Sequence, residues 1–65
     1  ENPLSEREIE ILNLTALGLS YRAIADDLNI SPNTVRVHIT RIYEKLNTCN
    51  KVEALNRARQ LKILE

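Results

Sequence analysis

Sixty-five residues with a formal net charge of zero make one small domain, near the lower limit at which an apolar core holds a fold unaided. One Cys and one His exclude an internal disulfide and a Cys/His zinc site. A lone thiol with no secretory or membrane-spanning run points to a reducing cytoplasm. The zero is unevenly built: residues 1–31 sum to −4 and residues 32–65 to +4. The preference of acids for helix starts explains Glu6 and Glu8 but not the whole imbalance, which is the footprint of a module with one basic side.

A first helix opens at Ser5, where Ser5 and Glu8 have capping-box spacing and Leu4 and Ile9 the spacing of a hydrophobic staple. Ile11, Leu12, Thr15 and Ala16 then predict a buried stripe, and the only Gly, Gly18, ends the helix. Ile9, Leu14 and Leu17 fall off the stripe and are open to covering the underside of the domain or docking a neighbour. Ser20 caps a short second helix, Tyr21 to Leu28, with Ile24, Ala25 and Leu28 inward. Asn29 tolerates a positive φ and sits where the chain must turn sharply. Ile30 plugs that corner. A small residue, a left-handed turn residue four further on and a buried β-branched residue six beyond that (Ala25, Asn29, Val35) match a helix-turn-helix.

Ser31 caps the third helix and Pro32 suits its first position; it runs to Leu46, with Asn47 as a left-handed stop. At about 100° per residue, Val35, Ile39, Ile42 and Leu46 share one stripe. Opposite them lie Asn33, Arg36, Val37, Thr40, Arg41 and Glu44. This mixture of guanidinium groups, hydrogen-bonding groups and an apolar methyl pair suits a DNA major groove; taken by itself it is also compatible with a solvated face carrying one stray valine. His38 falls beside the core, as a packing or backbone-bonded residue. Lys45 is flanking, and Tyr43 is expected half-buried with its hydroxyl outward.

Asn50 and Glu53 repeat the cap-plus-acid start, predicting a fourth helix from about Lys51 to Lys62. Val52, Leu55, Ala58 and Leu61 form an apolar ridge with Ala54 beside it, suited either to a second copy of the chain or to the first helix. The fold class is therefore all-α: a three-helix helix-turn-helix core plus a C-terminal helix.

In order and spacing, PLSEREIEIL, GLSYRAIADDL, ISPNTVRVHITRIYEKL and NKVEAL resemble the LuxR-type (NarL/FixJ) helix-turn-helix of bacterial transcription regulators, from Pro3 to about Leu61. The resemblance implies a single DNA-binding domain over residues 1–65, the C-terminal piece of a longer regulator, in keeping with a first residue that is not Met. It implies double-stranded DNA as partner, a homodimer on DNA through the fourth helix, RNA polymerase as a further partner, and no cofactor or small molecule bound by this domain. Arg36 stands at the basic position of the family's TVK motif, Val37 at the groove floor and Lys51 at the basic start of the fourth helix. Asn47 replaces a frequent Gly, Thr40 stands where some members carry a basic groove contact, and Ile9 where a charge is common.

Chemistry divides the labour. Asn33, Arg36, Val37 and Thr40 are candidates for base edges; Tyr21, Ser31, Thr34, Arg41 and Lys51 for phosphates, which fix register; and Val52, Leu55, Arg59 and Leu61 for the dimer interface. Two other readings stay open. One is a promoter reader like region 4 of a bacterial sigma factor, which has no need of a capped apolar fourth helix. The other is a protein-interaction module that keeps the fold without binding DNA. No enzyme is expected: no acid pair, nucleophile–base set or phosphate loop is present, and nothing beside Cys49 activates its thiol.

Overall fold

The computed structural model describes residues 3–64, which form four helices and no strand: α1 (Glu6–Ala16), α2 (Tyr21–Leu28), α3 (Pro32–Lys45) and α4 (Lys51–Gln60). Glu1 and Glu65, which enter the charge balance, lie outside the described residues. Each helix opens on a side-chain oxygen that accepts a backbone N–H three residues on: Ser5 from Glu8, Ser20 from Ala23, Ser31 from Thr34 and Asn50 from Glu53. Such a cap satisfies one of the N–H groups a helix start leaves without a partner. The helices run out into left-handed residues, Gly18 (φ 90), Asn29 (φ 60), Asn47 (φ 57) and Lys62 (φ 61). At these turns the chain folds back onto the last carbonyls, as where the Ile30 N–H bonds to the Ala25 carbonyl at 2.9 Å and Thr48 N–H to the Tyr43 carbonyl at 2.9 Å.

α3 lies at the centre and packs on each of the other helices. Its inward Val35, Ile39 and Ile42, with Leu46 just past its end, meet Ile11 and Leu12 of α1 and Ile24 and Ala25 of α2 in one buried cluster. The helix-turn-helix corner is as the spacing predicts. Ala25 is buried, Asn29 takes φ 60 and ψ 44, and Val35 is buried. The small Ala25 side chain leaves room for α3 to cross close by.

The structure corrects two expectations, on Ala16 and on the end of α4, and narrows two readings that the sequence left open. Ala16 is exposed, because the α1 stripe leaves the core at Thr15, whose hydroxyl bonds back to the Ile11 carbonyl at 2.8 Å. Leu17 is 75% exposed, whereas Ile9 and Leu14 pack on the core rim. α4 stops at Gln60 rather than Lys62, since Lys62 takes the left-handed conformation and turns Ile63 and the buried Leu64 back to the Ala58 carbonyl. The apolar ridge of α4 is not its buried face: Ala54 and Ala58 are buried, Leu55 is half-buried, and Val52 and Leu61 are 67% and 49% exposed. Two alanines let α4 seat closely, and it does so chiefly on α3 rather than on α1.

Candidate nucleic-acid interface

The outward face of α3 is fixed from behind. With Val35, Ile39 and Ile42 in the core, the helical period forces Arg36, Val37, Thr40, Arg41 and Glu44 to the opposite side. Those five residues line one open surface groove of about 370 Å³. Val37 is 42% exposed there, an apolar side chain held out of the core by geometry. It forms a strip between the polar groups on either side.

Polar groups along this face are already organised. Arg36 Nη2 donates to Asn33 Oδ1 at 2.9 Å, and the Thr40 hydroxyl donates to the Arg36 carbonyl at 3.0 Å. At the helix start the Ser31 and Thr34 hydroxyls lie 2.8 Å apart, and Ser31 Oγ accepts the Thr34 N–H at 3.2 Å. Arg41 is exposed in the groove. Of the other candidates, Tyr21 is 40% exposed at the first turn of α2, and Lys51 is exposed at the first position of α4. The structure thus brings Arg36, Val37, Thr40 and Arg41 into one groove with Asn33 bonded to Arg36, while Ser31, Thr34, Tyr21 and Lys51 stand at helix starts. Val52, Leu61 and Arg59 are exposed on α4, with Leu55 half-buried beside them.

Not every cation of the basic half is free to meet a partner. Lys45 Nζ donates to Glu8 Oε1 at 2.8 Å, tying the end of α3 to the start of α1. The same Glu8 oxygen accepts the Ser5 N–H at 2.9 Å, so one buried carboxylate completes a cap and anchors a lysine. Burial pushes the Glu8 carboxyl up, but the Lys45 ammonium and the Ser5 N–H outweigh it and hold it below the usual range. Arg57 Nε donates to the Leu46 carbonyl at 3.3 Å, closing the end of α3. Tyr43 is half-buried; burial, then the neighbouring Tyr21 phenol, raises its hydroxyl. His38 is half-buried, with Nδ1 buried and without a hydrogen-bond partner among the described residues.

Glu44, which lies directly opposite Val35 on the wheel and so on this face, received no base or phosphate role from the sequence, yet it lines the groove with the two arginines. Among the described residues no three His, Cys, Asp or Glu side chains gather as a metal site, and no helix is long and apolar enough to cross a membrane.

Known proteins share this fold. Residues 2–58 match the family described as bacterial regulatory proteins, luxR family. Over 59 residues the chain is 44% identical to the transcriptional regulatory protein DesR of Bacillus subtilis, covering 91% of this chain and 30% of that protein. It is 42% identical over 62 residues to the probable transcriptional regulatory protein NarL of Mycobacterium tuberculosis, covering 95% of this chain and 29% of that one. Among solved structures, the transcription factor GerE superimposes with a TM-score of 0.94 at 32% identity, over all of this chain and 97% of its own. The response regulator ChrA of a heme-sensing two-component system superimposes with a TM-score of 0.90 at 44% identity, over 98% of this chain and 32% of its own. The chain thus spans less than a third of the length of the full-length regulators DesR and NarL.

Proposed function

The chain belongs to the luxR family of bacterial regulatory proteins, and from that premise we propose that it is a sequence-specific reader of double-stranded DNA that regulates transcription, with α3 in the major groove. The observation that carries this is the outward face of α3, where Arg36, Val37, Thr40 and Arg41 share one groove while the opposite face is locked in the core. A 14-residue helix is about 21 Å long and 10–12 Å across with its side chains, and the major groove is about 12 Å wide.

Asn33, Arg36, Val37 and Thr40 form the base-reading set. The guanidinium forks onto guanine N7 and O6, the valine packs on a thymine methyl, and the threonine oxygen keeps a lone pair for a base amine. Glu44 closes the far end of the groove with an acceptor that repels phosphate and suits a cytosine amine. Arg41, Lys51, Tyr21, Ser31 and Thr34 meet phosphates, helped by the N–H groups at the starts of α2 and α3. Val52, Leu55, Arg59 and Leu61 pair two copies, placing half-sites about 10–10.5 bp apart centre to centre. The relatives DesR and NarL extend well beyond this chain, so the signal that governs it is assigned to other parts of such a regulator.

Binding to a duplex at stepped salt concentrations tests the reading. Affinity should fall steeply and log-linearly with salt, with a slope of about −0.9 per phosphate neutralised. A chain that binds no duplex at low salt is a protein-interaction module instead, and one that binds without salt dependence does not use Arg41 and Lys51 on phosphates.

A further inference from the structure

One contact on the reading face has a direction that its chemistry fixes. Arg36 Nη2 can only donate, so the Asn33 oxygen must face it at 2.9 Å, and the Asn33 Nδ2 amine must point away. Both side chains are exposed, one turn apart on α3, and neither has another hydrogen-bond partner through its side chain among the contacts of this face. The Arg36 backbone is held as well, because its carbonyl receives the Thr40 hydroxyl.

We propose that Asn33 is a specificity-determining, positioning residue: it holds the Arg36 guanidinium in place so that the pair, rather than Arg36 alone, selects guanine at one position of the half-site. This rests on the DNA-reading proposal above. A guanidinium has five N–H donors arranged along its edges. One Nη2 hydrogen given to Asn33 leaves a two-donor edge intact, either the end edge formed with Nη1 or the side edge formed with Nε. That edge matches the N7 and O6 acceptors of guanine. Preset geometry matters because a long, flexible arginine otherwise loses its freedom only on binding, and a fork that arrives oriented loses less per hydrogen bond. The Asn33 oxygen already accepts from Arg36 and keeps one lone pair, so gripping adenine through both amide atoms would compete with the orientation that the Arg36 bond imposes. Its influence on guanine runs through its neighbour.

Two measurements test this. In the free protein, nitrogen NMR of the Arg36 guanidinium should show slower proton exchange than that of the exposed Arg59, and Asn33→Ala should abolish the difference. Equal exchange in the unaltered protein overturns the proposal without reference to DNA. On the best site selected by the unaltered protein, the guanine touched by Arg36 is replaced by 7-deazaguanine, and the affinity ratio of the two sites is read for Asn33→Ala, Arg36→Ala and the double variant. Arg36→Ala should reduce that ratio about tenfold, and Asn33→Ala about threefold, the size of one exposed side-chain hydrogen bond. In the double variant Asn33→Ala should add nothing. If Asn33→Ala costs as much without Arg36 as with it, or shifts preference at a different base pair, Asn33 touches DNA itself and the positioning role is overturned. Absence of duplex binding by the unaltered protein brings down the DNA-reading proposal and this one with it, an outcome distinct from additive losses on a duplex that is bound.

Discussion

α3 and α4 are both amphipathic helices with a side-chain N-cap, yet they place their large apolar residues on opposite sides. α3 turns Val35, Ile39 and Ile42 inward, where α1 and α2 cover them, and leaves a single valine outward among hydrogen-bonding groups. α4 turns Ala54 and Ala58 inward and leaves Val52 and Leu61 outward. The difference follows from what each helix leans on. α3 fills the gap between two helices and needs volume, whereas α4 rests mainly on the side of one helix, where small side chains give the closest approach. A buried large residue is spent on the fold; an exposed one on a short helix is available to something else.

The largest effect that tests this contrast is in the core. Ile39→Ala is expected to cost about 2–5 kcal/mol, from lost burial and the cavity left at the crossing of α1, α2 and α3. For a domain this small that is a large share of the total. Val52→Ala should change stability by no more than about 0.5 kcal/mol. Denaturant unfolding followed by circular dichroism reads both, and comparable losses at the two sites would erase the distinction between the helices.

Part of the contrast is legible in the sequence and part is not. The corner from Ala25 through Asn29 to Val35 is readable because each position there is demanded by a different local constraint: space, a left-handed φ, and a branched core residue. The caps are readable because their chemistry spans only three residues. The buried face of α4 is not, since a hydrophobicity pattern ranks Val52 and Leu61 above Ala54, while the structure selects by closeness of approach. The bond from Lys45 to Glu8 links residues 37 positions apart, and no local pattern announces it. On the candidate interface the residues on the groove side follow from the helical period. The bond between Asn33 and Arg36 depends on which rotamers meet, which spacing does not dictate.

The middle-sized effect concerns that long-range bond, an ion pair that ties the end of the central helix to α1. Glu8 ionises more readily folded than unfolded, so the unfolded chain takes up its proton first as pH falls. The stability it contributes is therefore fully present above the unfolded carboxyl pKa and is lost as pH drops through the lower, folded value. Lys45→Met removes the partner and leaves a buried carboxylate. It should cost about 1 kcal/mol at neutral pH, a modest figure because the lysine side chain is 42% exposed. Burial then dominates, the Glu8 pKa rises, and the variant should be relatively less destabilised in acid than at pH 7. Unfolding free energy measured across that range checks the sign, and a pH-independent difference would remove Glu8 from the account.

The smallest effect on folding should accompany a large one on assembly, and it probes the exposed apolar side chains of α4. Val52→Asp places an acid in the first turn of α4 and Leu61→Lys a base at its end, both favoured by the helix dipole. Neither should change stability by more than about 0.5 kcal/mol. Each buries a charge if two copies meet there, so binding to paired half-sites should lose cooperativity while binding to a single half-site is unchanged. Reading both sites on the same preparation separates association from DNA contact. Val52 and Leu61 are nine residues apart, about 180° around the helix, so loss at one assigns the contact to that side and end of α4, and loss at both means that the second copy reaches around it. Cooperativity that survives both substitutions would return these side chains to solvent and leave α4 as a buttress for α3 alone.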